Sequence, residues 1–158
     1  MRVLVHSRVR RPGIAARALR RIALAALRAE RMPAQTEVSI ILVGDASIRR
    51  LNRRFLGKDR PTDVLAFPLL PGGPPTRERA RPASNHRHRL LGEIVISINR
   101  ARQQAKAAGH AVRTEVALLA VHGVLHLAGF DDRSSAGARR MHGREREILR
   151  VLGEDVRG

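Results

Sequence analysis

Val38-Ser39-Ile40-Ile41-Leu42-Val43 is a near-continuous apolar run in which Val38, Ile40 and Ile41 are β-branched. That pattern suits a strand covered on both faces. Upstream, Val3-Leu4-Val5 reads as a short strand, Pro12-Gly13 breaks the chain, and a helix is expected over residues 14–31. Its apolar stripe is Ile14, Ala18, Ile22, Ala25 and Ala29, while Arg17, Arg20, Arg28 and Arg31 fall on another face. Downstream, Asp45 is expected to cap a helix that keeps Ile48, Leu51 and Phe55 at apolar spacing and ends at Gly57. Gly57-Lys58-Asp59-Arg60-Pro61-Thr62-Asp63 has turn chemistry and leads into a strand, Val64-Leu65-Ala66-Phe67. Residues 94–98 form the next strand, and helices follow over 100–108, 114–128 and 136–152. Residues 69–90 read as a mobile Pro- and Arg-rich loop inserted in the domain, since five of the eight prolines lie between Pro68 and Pro82. Early alternation of strands and helices, then helices alone, predicts a single α+β domain over residues 1–158, with a small mixed β-sheet packed with helices.

With 158 residues and 43% apolar content the chain can bury one sizeable core, and with only 2% aromatics that core must be aliphatic. Its 31 Lys+Arg against 14 Asp+Glu give a formal net charge of +17, and only Lys58 and Lys106 are lysines. Arginine makes forked contacts to phosphate, so this excess points to a nucleic-acid or ribonucleoprotein partner. No apolar stretch reaches the roughly 18–20 residues that span a bilayer, and the first residues lack the apolar region of a signal peptide, so a cytoplasmic protein without membrane association is expected. Zero cysteines exclude disulfides and every Cys-based metal site, leaving His and carboxylates to hold any transition metal. Neither a Gly-x-Gly-x-x-Gly turn nor a Walker-type Gly-Lys-Ser/Thr is present, so nothing supports dinucleotide or nucleoside-triphosphate binding.

The chemistry concentrates in Ala120-Val121-His122-Gly123-Val124-Leu125-His126-Leu127-Ala128-Gly129-Phe130-Asp131-Asp132. His122 and His126 are four apart, so on a helix both imidazoles leave one face and can bind one metal. A histidine pair at this spacing also arises by accident as a satisfied core pair. Three features favour the metal. The surrounding helix is apolar on nearly all sides and offers the histidines no polar partner; Gly129 permits a sharp left-handed exit; and Asp132 completes His-x-x-x-His-x-x-Gly-x-x-Asp, the metzincin spacing with Asp in place of the third His. The residue that serves as base in His-Glu-x-x-His peptidases is here Gly123, which argues against peptide hydrolysis. Gly123 itself fits either a close approach of something beside the metal or simple helix packing.

These residues resemble a known family. His122-Gly123-Val124-Leu125-His126-Leu127-Ala128-Gly129-Phe130-Asp131 is similar to the signature of the YbeY endoribonucleases, bacterial rRNA maturation factors. The resemblance extends to Leu51-Asn52, to residues 57–68, to Leu91-Gly92-Glu93-Ile94-Val95-Ile96-Ser97, and to Met141, Glu145, Glu147, Ile148, Leu149 and Gly153. It implies a zinc-binding α+β fold, one zinc per chain, hydrolysis of single-stranded RNA, and a role at the 3′ end of small-subunit rRNA and in ribosome quality control. It also implies His122, His126 and Asp132 as metal ligands, and His122 with Asp131 as catalytic groups. Arg53, Arg54, Lys58 and Arg60 are expected to hold the RNA backbone, and a ribosomal protein is a further possible partner.

Two positions depart from the family pattern. Asp132 replaces its third histidine, which makes the site less positive and a bound water less acidic; His142 is the other candidate for third ligand. Leu56 replaces an arginine expected to contact phosphate. Asp131 also fits a local turn, Thr62 and Asp63 fit ordinary turn chemistry, and His86 and His88 receive no role. Two rival readings follow: a non-catalytic, zinc-stabilised ribosome assembly or rRNA-binding factor, and a metallopeptidase.

Overall fold

The computed structural model of the protein describes residues 1–69 and 88–154. The elements are β1 Arg2–Ser7, α1 Ala16–Ala29, β2 Thr36–Val43, α2 Asp45–Leu56, β3 Val64–Pro68, β4 Arg89–Ser97, α3 Ile98–Ala108, α4 Val112–Leu127 and α5 Ser135–Val151. The strands form one sheet in the order β1-β2-β4-β3, with β1, β2 and β4 parallel and β3 antiparallel to β4. This is the mixed sheet and α+β class read from the sequence. The loop expected over 69–90 lies outside the described residues except at its ends. There Leu69 donates its N–H to the carbonyl of Leu91 at 3.0 Å, and β4 begins at Arg89 rather than at 94.

β2 sits inside the sheet, and its alternation feeds two cores. Val38, Ile40 and Leu42 enter the main core with Ile94 and Ile96 of β4 and the buried faces of α1 and α4. Ile41 and Val43 turn to the opposite face, where Val95, Leu65 and Ile48 of α2 form a smaller cluster. α4 is apolar all round because α1, α3, α5 and the sheet surround it. Its Leu125 is fully buried, a position where truncation to alanine costs about 2–5 kcal/mol. Where α4 crosses β4 the backbones come close, and a Cβ on Gly123 would stand 2.6 Å from Cγ2 of Ile94. Packing against Ile94 thus requires a glycine at 123.

Three local expectations need correction. Gly44, not Asp45, is the N-cap of α2, and Asp45 opens the first turn. The Asp45 carboxylate instead accepts from Ser97 Oγ at 2.6 Å, while its N–H donates to Asn99 Oδ1 at 3.1 Å, joining the starts of α2 and α3. α3 begins at Ile98, two residues before expectation, because Ser97 caps it by accepting from the N–H of Arg100. The buried face of α1 is Leu19, Ile22, Ala23, Ala26 and Leu27; of the expected stripe Ile14 and Ile22 are in the core and Ala18 and Ala29 pack at its edge, because the leucines bury more apolar area than the alanines. Arg17, Arg20 and Arg28 are exposed as expected, whereas Arg31 lies past the helix end with φ 53°.

Candidate metal centre and adjoining cleft

His122 and His126 leave α4 one turn apart, with ring centroids 4.6 Å apart. The chain then leaves the helix as the sequence anticipates, with Gly129 at φ 103° and the Phe130 N–H donating back to the Leu125 carbonyl at 3.0 Å. This turn returns Asp132 to the histidines, its Oδ2 lying 3.7 Å from His122 Nε2 and 3.6 Å from His126 Nε2. The two Nε2 atoms are 3.1 Å apart. Ligands about 2.0–2.2 Å from a tetrahedral zinc stand roughly 3.4 Å from one another, so this triangle has the size of one metal face. His122, His126 and Asp132 can hold a metal ion, with one ligand atom from each. Their side chains are 20%, 30% and 39% exposed, so the site opens to solvent on one side.

α5 packs back along α4, but it does not bring His142 to the site. His142 is exposed, and Glu145 reaches His122, with Oε1 2.6 Å from Nδ1. Glu145 is only 5% exposed, so its carboxylate has been taken from water for this contact. With Nδ1–H donating to the carboxylate, Nε2 keeps its lone pair for the metal. In the metal-free protein burial pushes the pKa of His122 down, but the hydrogen bond and charge of Glu145, with the charges of Asp132 and Asp63, raise it overall. Glu145 belongs to the residues that carry the resemblance, but no local pattern gives it a role. Only its three-dimensional position, 23 residues from His122, supplies one.

Asp131 contributes no atom to the ligand triangle and pairs with Arg133 instead. Its carboxylate accepts from the Arg133 guanidinium at 2.6 to 3.0 Å and from the Arg133 backbone N–H at 3.0 Å, which lowers its pKa to about 2. Gly137, in the first turn of α5, lies beneath this segment, and a Cβ there would stand 2.1 Å from the Asp131 carbonyl oxygen. The turn that presents Asp132 therefore depends on a glycine in the following helix.

A cleft of about 470 Å³ opens beside the histidines. His122, Gly123, His126 and Leu127 form one wall, β3 from Val64 to Pro68 another, and Phe55 and Leu56 at the end of α2 close it. Leu56 therefore stands in the cleft at the position where the resemblance expects arginine. Arg53, Arg54, Lys58 and Arg60 are exposed and do not line the cleft. The Arg54 guanidinium lies 5.3 Å from the centroid of the Phe55 ring. The loop that carries Lys58 and Arg60 is held by Asn52, buried in α2, whose Nδ2 donates to the Arg60 carbonyl at 2.8 Å. Asp63 accepts from the N–H of Val64 at 2.7 Å and from Gln104 Nε2 at 3.0 Å, which fixes the entry to β3. Thr62 donates to the same carboxylate. His88 is exposed, and His86 lies outside the described residues. No described helix is long and apolar enough to cross a membrane.

Known proteins match this chain along most of its length. The family described as Endoribonuclease YbeY matches residues 9–153. An Endoribonuclease YbeY of Moorella thermoacetica is 45% identical over 135 residues, covering 85% of each chain. That of Geobacter sulfurreducens is 38% identical over 154 residues, covering 96% of each, and that of Chloroflexus aurantiacus 46% identical over 134 residues, covering 84% of each. A solution structure of a Thermotoga maritima protein superimposes with a TM-score of 0.59 at 23% identity, covering 95% of this chain and 91% of the other, which supports the fold alone. Since the family match over residues 9–153 takes in α4, the turn after it and all of α5, the chain belongs to the YbeY endoribonuclease family.

Proposed function

We propose that this protein is a zinc-dependent endoribonuclease that cuts single-stranded RNA, with the maturing 3′ end of small-subunit rRNA as its substrate and ribosome quality control as its setting. The observation that carries this reading is the triangle of His122 Nε2, His126 Nε2 and Asp132 Oδ2 at the head of an open cleft, backed by the buried Glu145. His122, His126 and Asp132 would hold one zinc, which would supply a Lewis acid for polarising a water or a phosphate oxygen at the scissile linkage. The protein does the rest. Glu145 accepts the His122 Nδ1–H and so orients the ring and fixes its tautomer, while the turn over Gly137 holds Asp132 on the side facing both histidines. Asp131, as a proton acceptor, would first have to leave Arg133, so its ground-state task is to shape that turn. Arg53, Arg54, Lys58 and Arg60 lie outside the cleft, where they would hold the RNA backbone as it runs in. A cytoplasmic location and a ribosomal protein partner belong to the same reading.

One observation favours a second reading, a zinc-stabilised rRNA-binding factor without catalysis: Leu56 occupies the cleft and cannot stabilise charge on a phosphoryl oxygen. A peptidase has no such support, because Gly123 is packed against Ile94 and offers no base. The deciding experiment incubates the purified protein with single-stranded RNA, duplex RNA and a peptide, each with and without chelator. Chelator-sensitive cleavage of the single strand alone is expected, with RNA affinity falling about 0.7 log units per phosphate contact per decade of salt. Binding without cleavage would favour the second reading, and salt-independent affinity or peptide cleavage would contradict the first.

A further inference from the structure

The protein contains three phenylalanines and no tryptophan or tyrosine, yet two of the three stand at this cleft. Phe55 is 56% exposed and Leu56 53%, a costly placement for large apolar side chains in the last turn of a surface helix. Phe55 is held in place by Phe67, whose ring centroid is 5.3 Å away at an interplanar angle of 60°, and Phe67 is anchored in the smaller core beneath β3. The exposed ring is thus a supported surface whose ordering costs little entropy. It lies in the same cleft as His122 and His126, the Arg54 guanidinium stands 5.3 Å from its centroid, and Arg53, Lys58 and Arg60, within five residues of it in the helix end and the following loop, are exposed. An apolar shelf with a guanidinium beside it and further exposed cations in the adjoining chain suits one occupant well: an unpaired nucleobase, flat and apolar on its face and joined to phosphates on either side. An apolar peptide segment gains nothing from those cations.

We propose that Phe55, extended by Leu56, is a base-stacking shelf that receives an unpaired nucleobase next to the linkage presented to the metal centre. This inference rests on the endoribonuclease reading and adds to it the residue that enforces single-strandedness. A base held in a duplex is stacked on its neighbours and is not free to lie on the ring, so the shelf admits strands whose bases are already free.

The absence of tryptophan makes the test direct. Phe55→Trp creates a single fluorescent reporter on the shelf, and the zinc-loaded protein is titrated at low temperature with a short single-stranded oligoribonucleotide while anisotropy of a label on the RNA records binding. Emission from the new tryptophan should be quenched with the same midpoint as the anisotropy change. Phe55→Ala should weaken binding of the single strand about fivefold or more, the range expected from losing one stacked base, with the salt dependence unchanged because the phosphate contacts remain. Phe55→Tyr should bind like the parent, which separates loss of the ring from loss of fold. RNA binding that leaves the tryptophan emission unchanged, or equal affinity in the parent and Phe55→Ala, overturns the shelf while the nuclease reading stands. A parent protein that binds no RNA overturns both.

Discussion

His122 and Glu145, 23 residues apart in sequence and on different helices, meet with Nδ1 and Oε1 2.6 Å apart. The carboxylate is buried, so the pair is a fixed part of α4–α5 packing as well as a support for the metal site. Glu145→Gln should lower zinc affinity about 10–100-fold, the usual cost of removing such a partner, as read by competition with a calibrated chelator. Unchanged affinity would show that Glu145 serves packing alone.

The same pair sets a pH dependence in the metal-free protein. His122 has a folded-state pKa raised above its ordinary 6.5. Its contribution to stability is therefore fully present below about 6.5 and is lost as the pH rises through the raised folded value. Urea unfolding in chelator should show the parent losing stability relative to Glu145→Gln as the pH is taken up through that window. A constant difference between the two proteins would contradict the assignment.

Asp132→His should retain or tighten zinc binding, since it keeps a ligand at the third corner of the triangle, while Asp132→Ala should weaken it. Gly137→Ala tests the turn without touching a ligand. Its added Cβ would lie 2.1 Å from the Asp131 carbonyl oxygen, so the turn must shift and zinc affinity should fall. Full occupancy in Asp132→Ala would remove Asp132 from the ligand set.

Gly123→Ala should destabilise the protein by about 1–3 kcal/mol, because the new methyl meets Ile94 in a close-packed crossing. Paired with Ile94→Ala, which clears that space, the double variant should be less destabilised than the two single effects added, as measured by denaturant unfolding. Strict additivity would mean that Gly123 matters for another reason.

Leu56→Arg should raise the rate of RNA cleavage while leaving zinc content and fold unchanged, tenfold for each ~1.4 kcal/mol of added transition-state stabilisation. If Arg53 or Arg54 already fills that role, Leu56→Arg changes little and Arg53→Ala or Arg54→Ala costs activity. Steady-state rates of the variants, each checked for zinc, distinguish the two cases.

The sequence makes legible what local periodicity controls. β2 reveals its double coverage through an unbroken apolar run, α4 its burial through apolar residues on all sides, and the His122, His126, Gly129 and Asp132 spacing brings three ligand atoms into one triangle. Contacts between distant segments are not written in any local pattern. Glu145 behind His122, Gly137 beneath Asp131 and Ile94 against Gly123 become visible only when α5 and β4 are packed on α4. The misplaced cap at Asp45 has the same origin, since Asn99 and Ser97 arrive from another element to satisfy that helix start.

Zinc-dependent cleavage at the His122, His126 and Asp132 site is tested most directly by titrating zinc into the metal-free protein while following both bound metal and cleavage of single-stranded RNA. Activity should rise in proportion to occupancy and saturate at about one zinc per chain, and His126→Ala should show neither tight binding nor cleavage. Cleavage that persists in the metal-free protein, or in His126→Ala without bound zinc, would contradict the account.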